Sequence, residues 1–193
     1  MVLSAVRFLL NNDVVVLENI DPNLTVLQYL RDERFKSGTK EGCASGDCGA
    51  CTVVLAELSE DNQALNYKSI NACISFVGCL HGKQLITVEH LKQGAKLHHV
   101  QQAMVDNHGS QCGFCTPGFV MSSFALHKQN NTPDRAQVLE ALAGNLCRCT
   151  GYRSIIDAAL TSSQHAEADS FEQHYQQTLR QLIDFKSLPS AQF

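Results

Sequence analysis

Apolar and polar positions follow a period of two in the first half of this chain and a helical period afterwards. Val6, Phe8 and Leu10 share one side of an extended segment with Arg7 on the other, a strand pattern that Leu9 blurs. Asn11-Asn12-Asp13 supplies turn chemistry, and Val14-Val15-Val16-Leu17 returns as a second strand, predicting a hairpin. Thr25 and Gln28 form a capping-box pair ahead of Val26, Leu27 and Leu30, which predicts a short helix. Thr52-Val53-Val54-Leu55 reads as a strand, a polar insertion over residues 60–66 leads to Cys73, and Leu85-Ile86-Thr87-Val88 reads as a last short strand. Hairpin, helix, strand and strand predict a small α+β domain of the β-grasp kind over residues 1–90.

Beyond Val88 the spacing becomes helical. Leu97, Val100 and Met104 mark one helix, and Phe119, Val120, Ser123 and Phe124 mark another. Thr132, with Pro133 at the first position, predicts the cap of a third helix carrying Val138, Leu139 and Leu142; Ile155, Ile156 and Ala159 mark a fourth. The pattern predicts an all-α four-helix bundle over residues 91–163, with the boundary around Gln93-Gly94. Residues 164–193 are polar. Phe171, Tyr175, Leu179 and Leu182 would suit an amphipathic helix, yet no partner for it is evident, so a linker or docking tail is expected.

Composition narrows the class of function. With 44% hydrophobic and 18% charged residues, the 193-residue chain has ordinary globular composition. The net charge of −4 and the absence of a Lys/Arg block argue against a nucleic-acid partner. No apolar run approaches the roughly 20 residues needed to span a bilayer, so no membrane partner is expected. Arg7 and Asn11-Asn12-Asp13 interrupt the N-terminal apolar stretch, which does not read as a signal peptide. The nine cysteines are odd in number and locally clustered, which suits metal binding in a reducing cytoplasm better than a disulfide framework.

Eight of those cysteines form two sets. Cys43, Cys48 and Cys51 are spaced C-x4-C-x2-C, with Cys73 a further 22 positions on. This is the plant-type ferredoxin arrangement for a [2Fe-2S] cluster, and two C-x2-C zinc knuckles would be spaced otherwise. Such a centre is anionic and needs hydrogen-bond donors; Gly42, Gly46 and Gly49 let the backbone curl and aim N–H groups at sulfur. The second set is Cys112 and Cys115 (C-x2-C) with Cys147 and Cys149 (C-x-C). C-x-C suits an irregular turn rather than a helix, and Gly144-Asn145 and Thr150-Gly151 provide one. Cys115-Thr116-Pro117 predicts the opening of a helix, with Thr116 as cap and Pro117 first, its positive end toward the anionic site. Spacing alone leaves iron–sulfur and structural zinc both open for this set.

Longer strings around these cysteines carry a resemblance. Gly42-Cys43-Ala44-Ser45-Gly46-Asp47-Cys48-Gly49-Ala50-Cys51-Thr52 resembles the GCxxGxCGACT signature of molybdenum hydroxylase iron–sulfur subunits. Gln111-Cys112-Gly113-Phe114-Cys115-Thr116-Pro117-Gly118 and Gly144-Asn145-Leu146-Cys147-Arg148-Cys149-Thr150-Gly151-Tyr152 are similar to that family's QCGFCTPG and GNLCRCTGY. Within the family, Ser37-Gly38-Thr39-Lys40, Asn71-Ala72-Cys73 and Asn107-His108-Gly109-Ser110 most resemble the xanthine dehydrogenase branch. The resemblance implies two [2Fe-2S] clusters on this chain, a molybdopterin-binding large subunit where substrate is hydroxylated, and a FAD-binding domain or subunit that passes electrons to NAD. It places Gln111 and Cys149 beside the pterin edge. The chain is too short to contain the FAD domain, so FAD is expected on a separate subunit or on a part missing from a truncated chain.

Three groups stand outside this assignment. Cys79 reads as a packed small apolar residue. Arg148 reads as surface or packing, with charge tuning of a neighbouring cluster as the sharper role. The histidines form no ligand spacing, and the adjacent His98 and His99 are expected to face different directions. No nucleophile–base pair emerges, so no catalytic residue is expected on the chain itself. A zinc-stabilised interaction module is the competing class of function.

Overall fold

The computed structural model describes residues 5–162 and 168–189. Its centre is a five-stranded mixed sheet of β1 (Ala5–Leu10), β2 (Asp13–Glu18), β3 (Thr52–Leu58), β4 (Leu65–Asn71) and β5 (Gln84–Ile86), in the order β2-β1-β5-β3-β4. β1 and β5 are parallel, and the other neighbours run antiparallel. A short helix, α1 (Val26–Gln28), continues as a π-helical turn over Tyr29–Glu33 and packs on one face. The capping box on Thr25 and Gln28 is formed as expected.

Both faces of the sheet are buried over β1, β3 and β5, which explains the blurred alternation in β1, while the edge strand β2 leaves Val14 and Val16 exposed. Val6, Phe8, Leu10, Val53, Leu55 and Leu85 pack with Val26, Tyr29 and Leu30 in one core. Leu9, Val54, Ala56 and Ile86 point the other way, into a larger core shared with the helices. A sheet covered on both sides reads as a continuous apolar run rather than a clean period of two. β4 is absent from the sequence expectation; Leu65 and Tyr67 are buried while Asn66 and Lys68 are not, and pairing with β3 along its whole length defines the strand. β5 stops at Ile86, and Val88 begins a 3-10 turn.

Four helices follow: α2 (His99–Asp106), α3 (Thr116–Gln129), α4 (Arg135–Leu142) and α5 (Arg153–Ser162). α3 is the central one, buried continuously from Gly118 to His127 between the sheet and the other helices. The cap of α4 is Asp134, in a capping box with Gln137, rather than Thr132; the carboxylate meets the Gln137 N–H at 2.9 Å. α3 starts one residue earlier than expected, with Cys115 as its N-cap residue and Thr116 inside the helix. The Thr116 hydroxyl instead donates to Ser110 Oγ at 2.8 Å.

The segment expected as a linker or docking tail docks on its own chain. α6 (Ser170–Gln173) and α7 (Tyr175–Ser187) bury Phe171 and Leu182 in the larger core, at 1% and 0% exposure. Each such burial contributes about 2 kcal/mol. Leu65 N–H donates to the Tyr175 hydroxyl (3.0 Å), His81 Nε2 meets the Phe185 carbonyl (3.0 Å), and Lys186 Nζ donates to Asn62 (3.0 Å). Asp169 caps α6 and pairs with Lys128 Nζ of α3 at 2.8 Å and with His98 Nε2 at 3.2 Å. The partners not evident in the sequence are α3 and His90, which receive Phe171, and the sheet strands β1 and β3, which receive α7. The expected boundary at 163/164 lies outside the described residues.

Candidate metal centres

The first cysteine set lies on an irregular loop that ends where β3 begins, with Cys73 supplied by the turn just after β4. Gly46 and Gly49 adopt left-handed backbone at φ +85° and +69°, a conformation that favours glycine. A Cβ on Gly42 would come within 2.8 Å of Cys48 Sγ, so backbone and sulfur share that space. Asn71 Nδ2 donates to the Gly46 carbonyl at 2.7 Å and ties the loop to β4. Cys43 is exposed and Cys51 is buried, while Cys48 and Cys73 lie between.

The second set is assembled from the loop that enters α3, with Cys115 as its N-cap residue, and the turn before α5. Cys112 and Cys149 are exposed, and Cys115 and Cys147 are partly buried. The C-x-C turn is irregular, as expected, and has left-handed Gly151 and Tyr152 just beyond it. Tyr152 folds back so that its hydroxyl accepts from the Cys147 N–H at 2.9 Å, and its ring packs edge-on against Phe119. Gln111 is exposed beside Cys112.

Within each set the thiols act on one another: Cys48 helps to lower Cys43, Cys73 acts on Cys51, Cys149 on Cys112 and Cys147 on Cys115. The Ser45 backbone N–H, followed by its hydroxyl and Cys48, holds the Cys43 thiol down at about 6. Burial pushes Cys51 up to about 12, and burial together with Cys147 does the same to Cys115. Burial also raises Cys147, but hydrogen bonds from Thr150 outweigh it and leave that thiol at about 7. The Phe114 N–H and then the Cys149 thiol lower Cys112, and Cys112 in turn raises Cys149. Among the described residues no group of three or more His, Cys, Asp or Glu converges as a single ion would require. Four thiols in each set, with left-handed glycines shaping the loop around the first, are a donor set that would suit a [2Fe-2S] cluster.

The two sets meet. The Leu146 N–H, next to Cys147, donates to the Cys48 carbonyl at 2.9 Å. Asn145 Nδ2 donates to the Gly49 carbonyl at 3.0 Å and to Thr52 Oγ1 at 3.1 Å, and Ser122 Oγ donates to Asn145 Oδ1 at 2.6 Å. In the sequence Gly144-Asn145 reads as turn chemistry and as the start of a family string, neither of which points to a contact with the first loop. The buried Asn145 amide, 4% exposed, had no local signal to reveal its distant partners.

Comparison with known proteins agrees with this layout. Residues 10–78 match the 2Fe-2S iron-sulfur cluster binding domain family, and residues 87–160 match a [2Fe-2S] binding domain family. Quinoline 2-oxidoreductase from Pseudomonas putida 86 superimposes with a TM-score of 0.72 at 32% identity, over 85% of this chain and 96% of that one. The chain belongs to the molybdenum hydroxylase iron–sulfur components. It is 49% identical to xanthine dehydrogenase of Emericella nidulans over 81% of its own length and 11% of that protein's. It is 44% identical to aldehyde oxidase 1 of Rattus norvegicus over 80% of its length and 12% of that protein's. The chain thus spans about a tenth of each of these two relatives and corresponds to an oxidoreductase component.

Other expectations differ in detail. Cys79 is exposed rather than packed, because it sits in the 3-10 turn Val77–Leu80, which buries only Val77 and Leu80. His98 and His99 do not diverge: their rings lie 4.1 Å apart, and His127 stands 5.7 Å from His99. Arg148 is exposed. Among the described residues no helix is long and apolar enough to cross a membrane.

Proposed function

We propose that this chain is the electron-relay component of a cytoplasmic xanthine dehydrogenase. It would take electrons from a molybdopterin centre on a large partner subunit, where purine is hydroxylated, and deliver them to FAD and then NAD. The observation that carries this reading is the contact between the two cysteine sets, through Leu146 N–H to the Cys48 carbonyl. Cys43, Cys48, Cys51 and Cys73 would hold one [2Fe-2S] cluster; Cys112, Cys115, Cys147 and Cys149 would hold the other. When bound, the clusters supply one-electron carriers whose reduction needs no proton donor. The chain's own residues do the rest. Ser45 and Thr150 donate to Cys43 and Cys147 and stabilise their thiolates. Gln111 and Cys149, exposed at the outer edge of the second set, are available to hydrogen-bond the pterin. The first set, with Cys43 exposed, would then face FAD.

The aldehyde oxidase relatives favour a second reading, with the same sites but an aldehyde-oxidising partner. Native co-purification with cofactor analysis tests both. The first reading expects a molybdopterin polypeptide and FAD with the chain, and NAD reduction with xanthine or hypoxanthine. Turnover of aldehydes but not purines would replace it with the second. A colourless chain holding stoichiometric zinc would sink both.

A further inference from the structure

We propose that Asn145 is a positioning residue that clamps the Cys48 loop against the Cys147 loop and so sets electronic contact between the two sites. This inference rests on the iron–sulfur reading above. In the exchange it supports, one electron leaves the second site and enters the first; no bond breaks and no proton moves.

The clamp is built from groups with fixed orientation. Ser122 Oγ, itself buried on α3, donates to Asn145 Oδ1 at 2.6 Å. An amide held by its oxygen must present its NH2 to the opposite side. There it finds the Gly49 carbonyl at 3.0 Å and Thr52 Oγ1 at 3.1 Å. Thr52 also binds Gly49, through its N–H at 3.2 Å and its hydroxyl at 2.7 Å, but those bonds stay within the first loop. The bonds that cross the seam come from Asn145 Nδ2 and from the neighbouring Leu146 N–H to Cys48.

The seam is also closed sterically. A Cβ on Gly49 would lie 2.4 Å from the Gly144 carbonyl oxygen, and one on Gly118 would lie 2.2 Å from the Gly49 oxygen. Backbone from the first loop, from α3 and from the segment before the C-x-C turn therefore comes into contact around the Asn145 amide, with no room for a further side chain. A position that only capped a turn would need none of this. Asn145 sits at the junction of three segments, and its donors point at the residue following a cysteine of the other site.

The test uses the full chain with both sites reconstituted. Asn145→Asp keeps the volume and the Ser122 contact but removes both N–H donors. The proposal expects unchanged iron and sulfide content and both paramagnetic signals, with a weakened magnetic interaction between them. It also expects Leu146 amide exchange about tenfold faster, in the apo protein as well. Ser122→Ala leaves the donors but frees the amide to flip, and should produce the same changes to a smaller degree. Unchanged interaction and unchanged Leu146 exchange in a fully loaded Asn145→Asp protein would overturn the proposal. So would a lower melting temperature with the interaction intact, since that marks a purely structural role. If Asn145→Asp fails to fold or load, Ser122→Ala and Thr52→Val decide, and wild-type behaviour in both overturns it. Failure of the wild-type chain to bind iron would refute the iron–sulfur reading itself.

Discussion

The two cysteine sets solve one problem in different ways. In the first, three sulfurs come from a single nine-residue stretch, Cys43 to Cys51, and the turn that follows β4 adds the fourth. Its shape is local: left-handed glycines turn the chain and Asn71 pins it. In the second, two pairs lie 32 positions apart, from Cys115 to Cys147, and meet only because α3, α4 and α5 pack together. One site is written in a loop, the other in a tertiary arrangement. The first should survive loosening of the helices, and the second should not.

The largest effect that could break this contrast is ligand removal. Cys43→Ser should abolish or reshape one paramagnetic signal and leave the other, and Cys147→Ser should do the reverse. Loss of both signals from either change, with the fold intact, would mean the sites are not separate. Gly49→Ala should damage both, because it imposes strain at φ +69° and a collision with the Gly144 carbonyl. We expect a loss of about 3 kcal/mol in denaturant unfolding, from backbone strain and overpacking together.

Asp169→Asn sharpens the comparison from the helical side. It breaks the pairing with Lys128 on α3, where both side chains are largely buried, and should cost about 3 kcal/mol. Hydrogen exchange should rise earlier around Cys115 than around Cys48. Acid should act in the same direction. Burial, with His98 beside it, holds His99 down at about 4, so between about 6.5 and 4 the unfolded chain binds the proton first. Stability therefore falls as pH drops through that window. Asp169 adds a further loss at lower pH: burial raises its carboxyl, but His98 and Lys128 outweigh this and hold it low. Melting temperature against pH checks the sign. Cys79→Ser is the smallest change; the exposed thiol should alter stability by less than about 0.5 kcal/mol and neither signal.

What could be read in the sequence follows the same division. The hairpin, the Thr25 capping box and the C-x4-C-x2-C loop depend on neighbours a few residues apart, and all three are legible. β4 is not, since Leu65-Asn66-Tyr67-Lys68 alternates over only four residues directly after a polar insertion, and pairing with β3 is what defines the strand. The tail reads as polar because the groups that receive it are distant in sequence: Phe171 packs on Phe124 of α3 and on His90, while α7 lies against β1 and β3. Asn145 escaped for the same reason: its acceptors, Gly49 and Thr52, lie 96 and 93 positions away. The cysteine sets are countable from spacing, but the contact of one set's loop with the other, Leu146 N–H on the Cys48 carbonyl, requires the fold.

The most direct test of the account is low-temperature paramagnetic resonance of the anaerobically reduced chain, with metal analysis of the same sample. The account predicts about four irons per chain and two distinct signals, one tied to each cysteine set. A single signal, or a colourless protein with one zinc per set, would contradict it.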